Sequence, residues 1–206
     1  MKNRTDLSTA TAARGSGRPR EFDIDAALGA ALELFWHRGY AATSLTELSE
    51  AMGIARSSLY TCFGSKHEVL TRAIERYADE GLAELERIAV ETADPVLAIR
   101  RMLLQLAEPG GGAQGCFLVN CITELAPEDP SVVAVAQRVT ERVQMLLVDA
   151  LLAVPSASPL TRRVAVPRAR ALLSTAFGAT LMRKNGMARR DVRAMLAASE
   201  ALIVAG

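Results

Sequence analysis

The sequence predicts an all-α fold, and three observations carry that expectation. No stretch alternates apolar and polar residues as a half-buried strand does. Half the residues are hydrophobic but only 4% are aromatic, and Ala and Leu dominate, a composition that favours helices. Helix start signals recur along the chain: Ser44-x-x-Glu47, Ser65-x-x-Glu68, Asp94-Pro95 and Asp129-Pro130. At 206 residues there is ample chain for one or two cores.

Residues 1–21 are rich in Ser, Thr, Gly and Arg and read as a flexible arm. Over residues 1–20 Lys2, Arg4, Arg14, Arg18 and Arg20 stand against Asp6 alone, although the whole chain carries only +1. A basic arm on a slightly acidic body suits a polyanion. Asp23 caps a first helix that ends near Arg38, with Gly39 as the stop and Ile24, Ala27, Leu28, Ala31 and Phe35 as its apolar stripe.

The most informative stretch is residues 44–67. Ser44 and Glu47 form a capping box, so a helix begins at Leu45. Leu45, Leu48, Ala51 and Met52 give it one apolar face, and Gly53 ends it. A second helix follows from Arg56 to Phe63, with Leu59 and Phe63 inward and Arg56, Ser57, Tyr60 and Thr61 outward. Ala55 is a poor N-cap for it, by about 1 kcal/mol relative to a hydroxyl. Ser65 and Glu68 open a third helix. Helix, Gly, helix with a donor-rich outer face is the layout of a helix-turn-helix, whose second helix can lie in a DNA major groove.

The helix opened by Ser65 meets no strong breaker before Asp94-Pro95. Val69, Leu70, Ala73, Ile74 and Tyr77 continue its stripe, and Leu82, Leu85 and Ile88 extend it past Gly81. Asp94-Pro95 opens a helix to about Ala107, and Pro109-Gly110-Gly111-Gly112 is a loop. A helix covers roughly 115–126. Asp129-Pro130 opens a long one to about Ala153, and residues 155–161 form a loop. Pro167 is placed in the first turn of the next helix, which runs to Lys184, and a last helix spans about 189–204.

Residues 18–70 resemble the TetR family of bacterial transcriptional regulators. The resemblance rests on Gly39-Tyr40, Thr43, the Leu45/Leu48 pair, Gly53-Ile54, Leu59-Tyr60, Phe63 and Ser65-Lys66. Over residues 71–206 it extends only to helix number and order. It implies an N-terminal three-helix DNA-binding domain over 22–67 and a helical ligand-binding and dimerisation bundle over 68–206, about nine helices in all. It further implies a homodimeric repressor that leaves double-stranded operator DNA when a small-molecule effector enters the bundle. By the same likeness Thr43, Tyr60 and Lys66 are phosphate contacts, and Arg56, Ser57 and Thr61 lie at or near base edges. Arg18 and Arg20 belong to an arm able to follow the backbone or enter a minor groove.

The bundle half supplies mainly Leu, Val, Ala, Met and Phe, so an apolar or aromatic effector is expected. Cys116, Asn120 and Glu124 are candidate pocket residues. Cys116 lies in a predicted first helical turn, where the helix N-terminus lowers a thiol pKa. That placement makes it the thiol of choice for an electrophile- or oxidant-sensing regulator, with Cys62 as its rival because an adduct on the reading helix would block DNA directly. The alternative is that Cys116 and Cys121, about 140° apart around the helix, are small buried hydrophobes. Asn120 and Glu124 either face a ligand or bond neighbouring helices. Leu172, Leu173, Ala176, Phe177, Leu181, Met195, Leu196, Leu202 and Ile203 are assigned to a dimer interface.

Other classes find less support. A helical-bundle enzyme lacks material: His37 and His67 are the only histidines, no Glu-x-x-His pair occurs, and there is no phosphate loop or nucleophile elbow. A helical interaction module without DNA binding is the third reading. No cofactor and no metal site is expected. The N-terminus lacks an apolar signal region, no apolar run spans a membrane, and three cysteines form no disulfide framework, so the expected setting is the cytoplasm.

Overall fold

The computed structural model describes residues 22–111, 114–126, 128–156, 158, 160–199 and 201–204. The expected arm, with Arg18 and Arg20, lies outside them. The described residues form helices α1 (Ile24–Arg38), α2 (Leu45–Ala51), α3 (Arg56–Phe63), α4 (Lys66–Glu91), α5 (Pro95–Ala107), α6 (Phe117–Leu125), α7 (Pro130–Leu152), α8 (Arg162–Lys184), α9 (Arg189–Ala198) and a last turn α10 (Ala201–Val204).

The helix starts have the physical causes read from the sequence. Asp23 Oδ1 accepts from the N–H groups of Asp25 and Ala26. Ser44 and Glu47 form the full reciprocal capping box. At Ser65 only the hydroxyl half forms, accepting from Glu68 N at 3.1 Å. Asp94 and Asp129 each cap a helix with proline at its first position. Ala55 caps α3 without a side-chain bond, as its methyl requires.

Three boundaries differ from expectation. Helix α8 begins at Arg162, so Pro167 is its sixth residue and not part of the first turn. Pro167 has no N–H for the carbonyl of Arg163, and burial of Ala165, Ala169, Leu172 and Leu173 on the same helix holds the turn regardless. The last helix breaks at Ser199, whose hydroxyl bonds back to Leu196 O. Cys116 is the N-cap of α6 in an extended conformation, one residue outside the helix.

Helices α1, α2 and α3 pack around Phe35, Leu48, Leu59 and Phe63, all nearly inaccessible. Helix α4 is 26 residues, about 39 Å long, and runs from this head straight through the body, past Gly81. The expected boundary at 67/68 therefore falls in its first turn. Helices α5, α6 and α7 pack on it, α8 packs in turn on α5 and α7, and one apolar core continues from Ala27 to Ile203. Among the described residues no helix is long and apolar enough to cross a membrane.

Candidate nucleic-acid interface and apolar chamber

The outer face of α3 presents Arg56, Ser57, Tyr60 and Thr61, all exposed, with Tyr60 at 53%. Leu59 and Phe63 on the opposite face anchor the helix in the core, which fixes the direction of this row. The Arg56 guanidinium bonds Thr46 Oγ1 of α2, and the Thr61 hydroxyl donates to Ser57 O at 2.8 Å. Lys66 opens α4 beside them, with Nζ 4.2 Å above the ring centroid of Tyr40. Partial burial pulls its pKa down, against the pull of Glu124 and Glu47. A cation resting on a ring is weakly held, by about 0.5–1 kcal/mol at an exposed site, so a phosphate can draw it away. Thr43 does not join this surface. It is 1% exposed and its hydroxyl donates to Gly39 O at 2.7 Å, so the loop between α1 and α2 consumes the donor assigned to a phosphate.

The head meets the body at the α6–α7 corner. Glu124 Oε2 accepts from Tyr40 N at 3.0 Å and Oε1 from Ala41 N at 2.8 Å. His67 Nε2 lies 2.7 Å from Asp129 Oδ2, while Asp129 Oδ1 takes the Ser131 hydroxyl and the Ser131 and Val132 N–H groups. Burial pushes the Asp129 carboxyl up, but Ser131, His67 and the Val132 N–H together hold it at about 2. Beside this corner Trp36 of α1 meets Tyr77 of α4 and Phe117 of α6, with centroids 5.3 and 6.2 Å away.

Beyond Tyr77 lies a small apolar chamber of about 70 Å³ between α4, α5, α6, α7 and α8. Leu82, Leu85, Leu106, Leu118, Val139, Val143 and Phe177 line it, and Gly81 adds no side chain. Among the described residues its polar lining is Tyr77, Gln105 and Cys116. Tyr77 donates its hydroxyl to Cys116 Sγ at 3.3 Å, and burial, then the thiol itself, raises the phenol pKa.

Known proteins share this arrangement. The model for bacterial regulatory proteins of the tetR family matches residues 27–73, which span α1 to the start of α4. The HTH-type transcriptional repressor ComR of Escherichia coli is 40% identical over 129 residues, covering 59% of this chain and 60% of ComR. The HTH-type regulator YezE of Bacillus subtilis is 32% identical over 134 residues, covering 62% of this chain and 68% of YezE. The chain belongs to the TetR family. That is a family of transcription regulators, not of enzymes. A solved structure of the TetR-family regulator CifR, a cysteine mutant complexed with 26-bp operator DNA, covers 90% of this chain and 98% of its own at 26% identity and TM-score 0.68.

For this TetR-family chain the three pocket candidates separate. Cys116 lines the chamber. Asn120 and Glu124 instead border a different cleft of about 560 Å³ on the far side of α6, beneath Trp36 and Gly39. There Asn120 accepts from Lys184 Nζ at 2.9 Å and donates to Gln114 O, and Glu124 holds the α1–α2 loop. Both therefore bond neighbouring segments.

The low thiol pKa expected for Cys116 is also overturned. Burial raises it and outweighs the Tyr77 hydroxyl and the Val119 and Leu118 N–H groups, which pull the other way. The Cys121 thiol is pushed up to about 12, by burial first and then by Glu124. Cys62, on the exposed face of α3, is the accessible thiol among the three.

Beyond their local roles as stop, cap and stripe, Gly39, Asp129 and Tyr77 make contacts across elements that the sequence does not announce, and Glu108 makes another away from both sites. The Glu108 carboxylate, 9% exposed, sits between Arg183 and Arg189 at 3.7 and 3.8 Å and ties α5 to α8 and α9. No local pattern marks these roles, because each partner lies on another element.

Proposed function

We propose that this chain is an operator-binding repressor that leaves DNA when a small, uncharged, apolar or aromatic molecule occupies the chamber under Tyr77. The observation that carries the reading is the outward row Arg56, Ser57, Tyr60 and Thr61 on a helix anchored from behind by Leu59 and Phe63. A DNA complex of CifR, similar over nine-tenths of this chain, supports it. Lys66 and Tyr60 serve as phosphate contacts, with Arg56, Ser57 and Thr61 at base edges. The head over 22–67 reads DNA and the body over 68–206 takes the effector. Chamber chemistry supports an uncharged effector: no Lys, Arg, Asp or Glu among the described residues lines it, and a bare charge there would lack a partner.

Two copies act together in this reading. Most of the apolar residues expected at a dimer interface are used within one chain: Leu172, Leu173, Ala176, Leu196 and Ile203 are buried, and Phe177 faces the chamber. What remains on the outer side of α8 is Val164, Gly178, Leu181 and Met182, with Val164, Leu181 and Met182 at 37, 46 and 45% exposure. A Cβ on Gly178 would meet nothing within 4 Å, so a second helix can approach there. A two-fold pair would set the heads at about 34–36 Å.

The test is fluorescence anisotropy with a duplex taken from the DNA beside the chain's own gene, across a salt series. Specific binding with a steep salt slope is expected. Lys66→Ala should weaken binding to every sequence and flatten the slope by about one unit for each phosphate left without its lysine. Arg56→Ala should change which sequence is preferred. Unchanged affinity and slope in Lys66→Ala would remove Lys66 from the interface.

A further inference from the structure

We propose that Glu124 is a positioning residue for DNA binding: its carboxylate clasps the α1–α2 loop and fixes the reading head to the helical body. The inference rests on the DNA-binding reading above. Its two oxygens take two successive N–H groups, Tyr40 at 3.0 Å and Ala41 at 2.8 Å, across 84 and 83 residues of sequence. Both donors follow the C-cap of α1 and so lie outside any helical ladder. Glycine at position 39 makes the room, since a Cβ there would lie 3.0 Å from Oε2 and 3.3 Å from Oε1.

The clasped loop bears directly on the DNA-facing groups. Tyr40 carries the Lys66 ammonium on its ring and meets the His67 ring edge-on at 6.4 Å. Thr43, four residues after Gly39, closes the loop on the Gly39 carbonyl and leads to the α2 capping box. Moving Tyr40 and Ala41 therefore moves the start of α2 and takes the ring from beneath the Lys66 ammonium. At its other end the N-cap Cys116 and the first-turn Leu118 of α6 stand in the chamber wall. One nine-residue helix thus has the chamber at its first turn and the clasp at its last. Asp129, five residues on, grips His67 in the first turn of α4 and gives the body a second hold on the same head.

With the clasp gone, the head samples more orientations, and binding a two-site operator must order it. The experiment uses the full-length protein, the duplex named above, and three variants: Glu124→Ala, Glu124→Gln and Glu128→Ala. The last removes an exposed carboxylate from the same corner and controls for charge. Two readouts are taken on each: amide hydrogen exchange at Tyr40 and Ala41, and operator affinity.

Glu124→Ala should speed exchange at those two amides by about tenfold or more, the loss expected for charge-assisted bonds. It should also weaken operator binding about fivefold or more while amides of α7 and α8 keep their protection. Glu124→Gln, with one acceptor left, should fall between Ala and wild type on both readouts, and Glu128→Ala should match wild type. A carboxylate that merely stabilises the fold would raise exchange throughout and leave the affinity of the folded fraction unchanged. Exchange at Tyr40 and Ala41 unaltered in Glu124→Ala, or an operator affinity equal to that of Glu128→Ala, overturns the proposal. Wild type that ignores every duplex at low salt overturns the DNA-binding reading itself, and this role with it.

Discussion

Gly39→Ala should destabilise the protein more than any comparable change at an open glycine. Gly39 has φ 82° and ψ 166°, a region that only glycine occupies readily. An alanine there stores about 1–3 kcal/mol of strain. Its Cβ would also press on both Glu124 oxygens and push the carboxylate off two N–H donors. Bonds to a charged group contribute about 1.5–3 kcal/mol when buried, and Glu124 is exposed, so about 1 kcal/mol is a fair share. The total is about 2–4 kcal/mol. At about 2–4 °C per kcal/mol for a chain of this size, the midpoint should fall by about 4–16 °C. Gly53→Ala is the reference: its φ is 67° and nothing lies within 4 Å of a Cβ, so only a conformational cost of about 1–2 kcal/mol applies. Thermal melting by circular dichroism reads both. In a Glu124→Ala background the cost of Gly39→Ala should shrink by about 1 kcal/mol, because the obstructing carboxylate is gone. Equal midpoints for Gly39→Ala and Gly53→Ala, or no shrinkage in the double variant, would refute the reasoning.

Further expectations concern the thiols, acid stability and α8. Under native conditions a disulfide reagent should label Cys62 first, with Cys116 and Cys121 reacting only as the chain unfolds; peptide mapping that finds Cys116 labelled first would contradict the burial argument. The Asp129 carboxyl titrates at about 2 in the folded chain and near 3.9 unfolded, so the stability it lends is complete above about pH 4 and is lost as pH falls toward 2. After allowance for partial exposure that contribution is about 1–2 kcal/mol, and Asp129→Asn, which keeps the cap, should flatten the acid limb of urea midpoints measured from pH 5 to 2. Pro167→Ala supplies the N–H that the sixth residue of α8 lacks and should stabilise by about 1–3 kcal/mol, raising the melting midpoint by about 2–12 °C; a fall would show that the ring packs usefully where it is.

The features legible in the sequence are those written in local spacing. Ser44 with Glu47, Asp94-Pro95 and Asp129-Pro130 mark helix starts because a cap and its donors lie within three residues. The row Arg56, Ser57, Tyr60 and Thr61 is legible because Leu59 and Phe63 fix the inner face of the same helix. Pro167 misleads because proline suits a first turn, while Thr161 stands at the true start as a favoured N-cap type but makes no side-chain cap bond. Cys116 misleads for an energetic reason: the helix-end N–H groups pull its pKa down as expected, but burial in the chamber wall is the larger effect. Residue type leaves Glu124 open between a ligand and a neighbouring segment, and family likeness points Thr43 to a phosphate; bonds to Tyr40, Ala41 and Gly39 occupy both side chains. Leu172 and Leu173 point inward because α8 packs against both α5 and α7, which apolar periodicity alone does not distinguish from a dimer seam.

On the proposed reading, in which the chamber takes the effector, its size would set the kinetics of the response. At about 70 Å³ it is half the roughly 150 Å³ that admits a benzene ring, so the closed form holds no effector of useful size. Uptake would then wait for α6 and its neighbours to part. The observed association rate should level off with rising ligand concentration, at the rate of that opening. The measured dissociation constant is the intrinsic one divided by the open fraction, so a form open about 1% of the time binds about a hundredfold more weakly. Trimming Leu82 or Leu118 on the chamber wall would raise both the plateau and the apparent affinity without adding a single contact to the ligand.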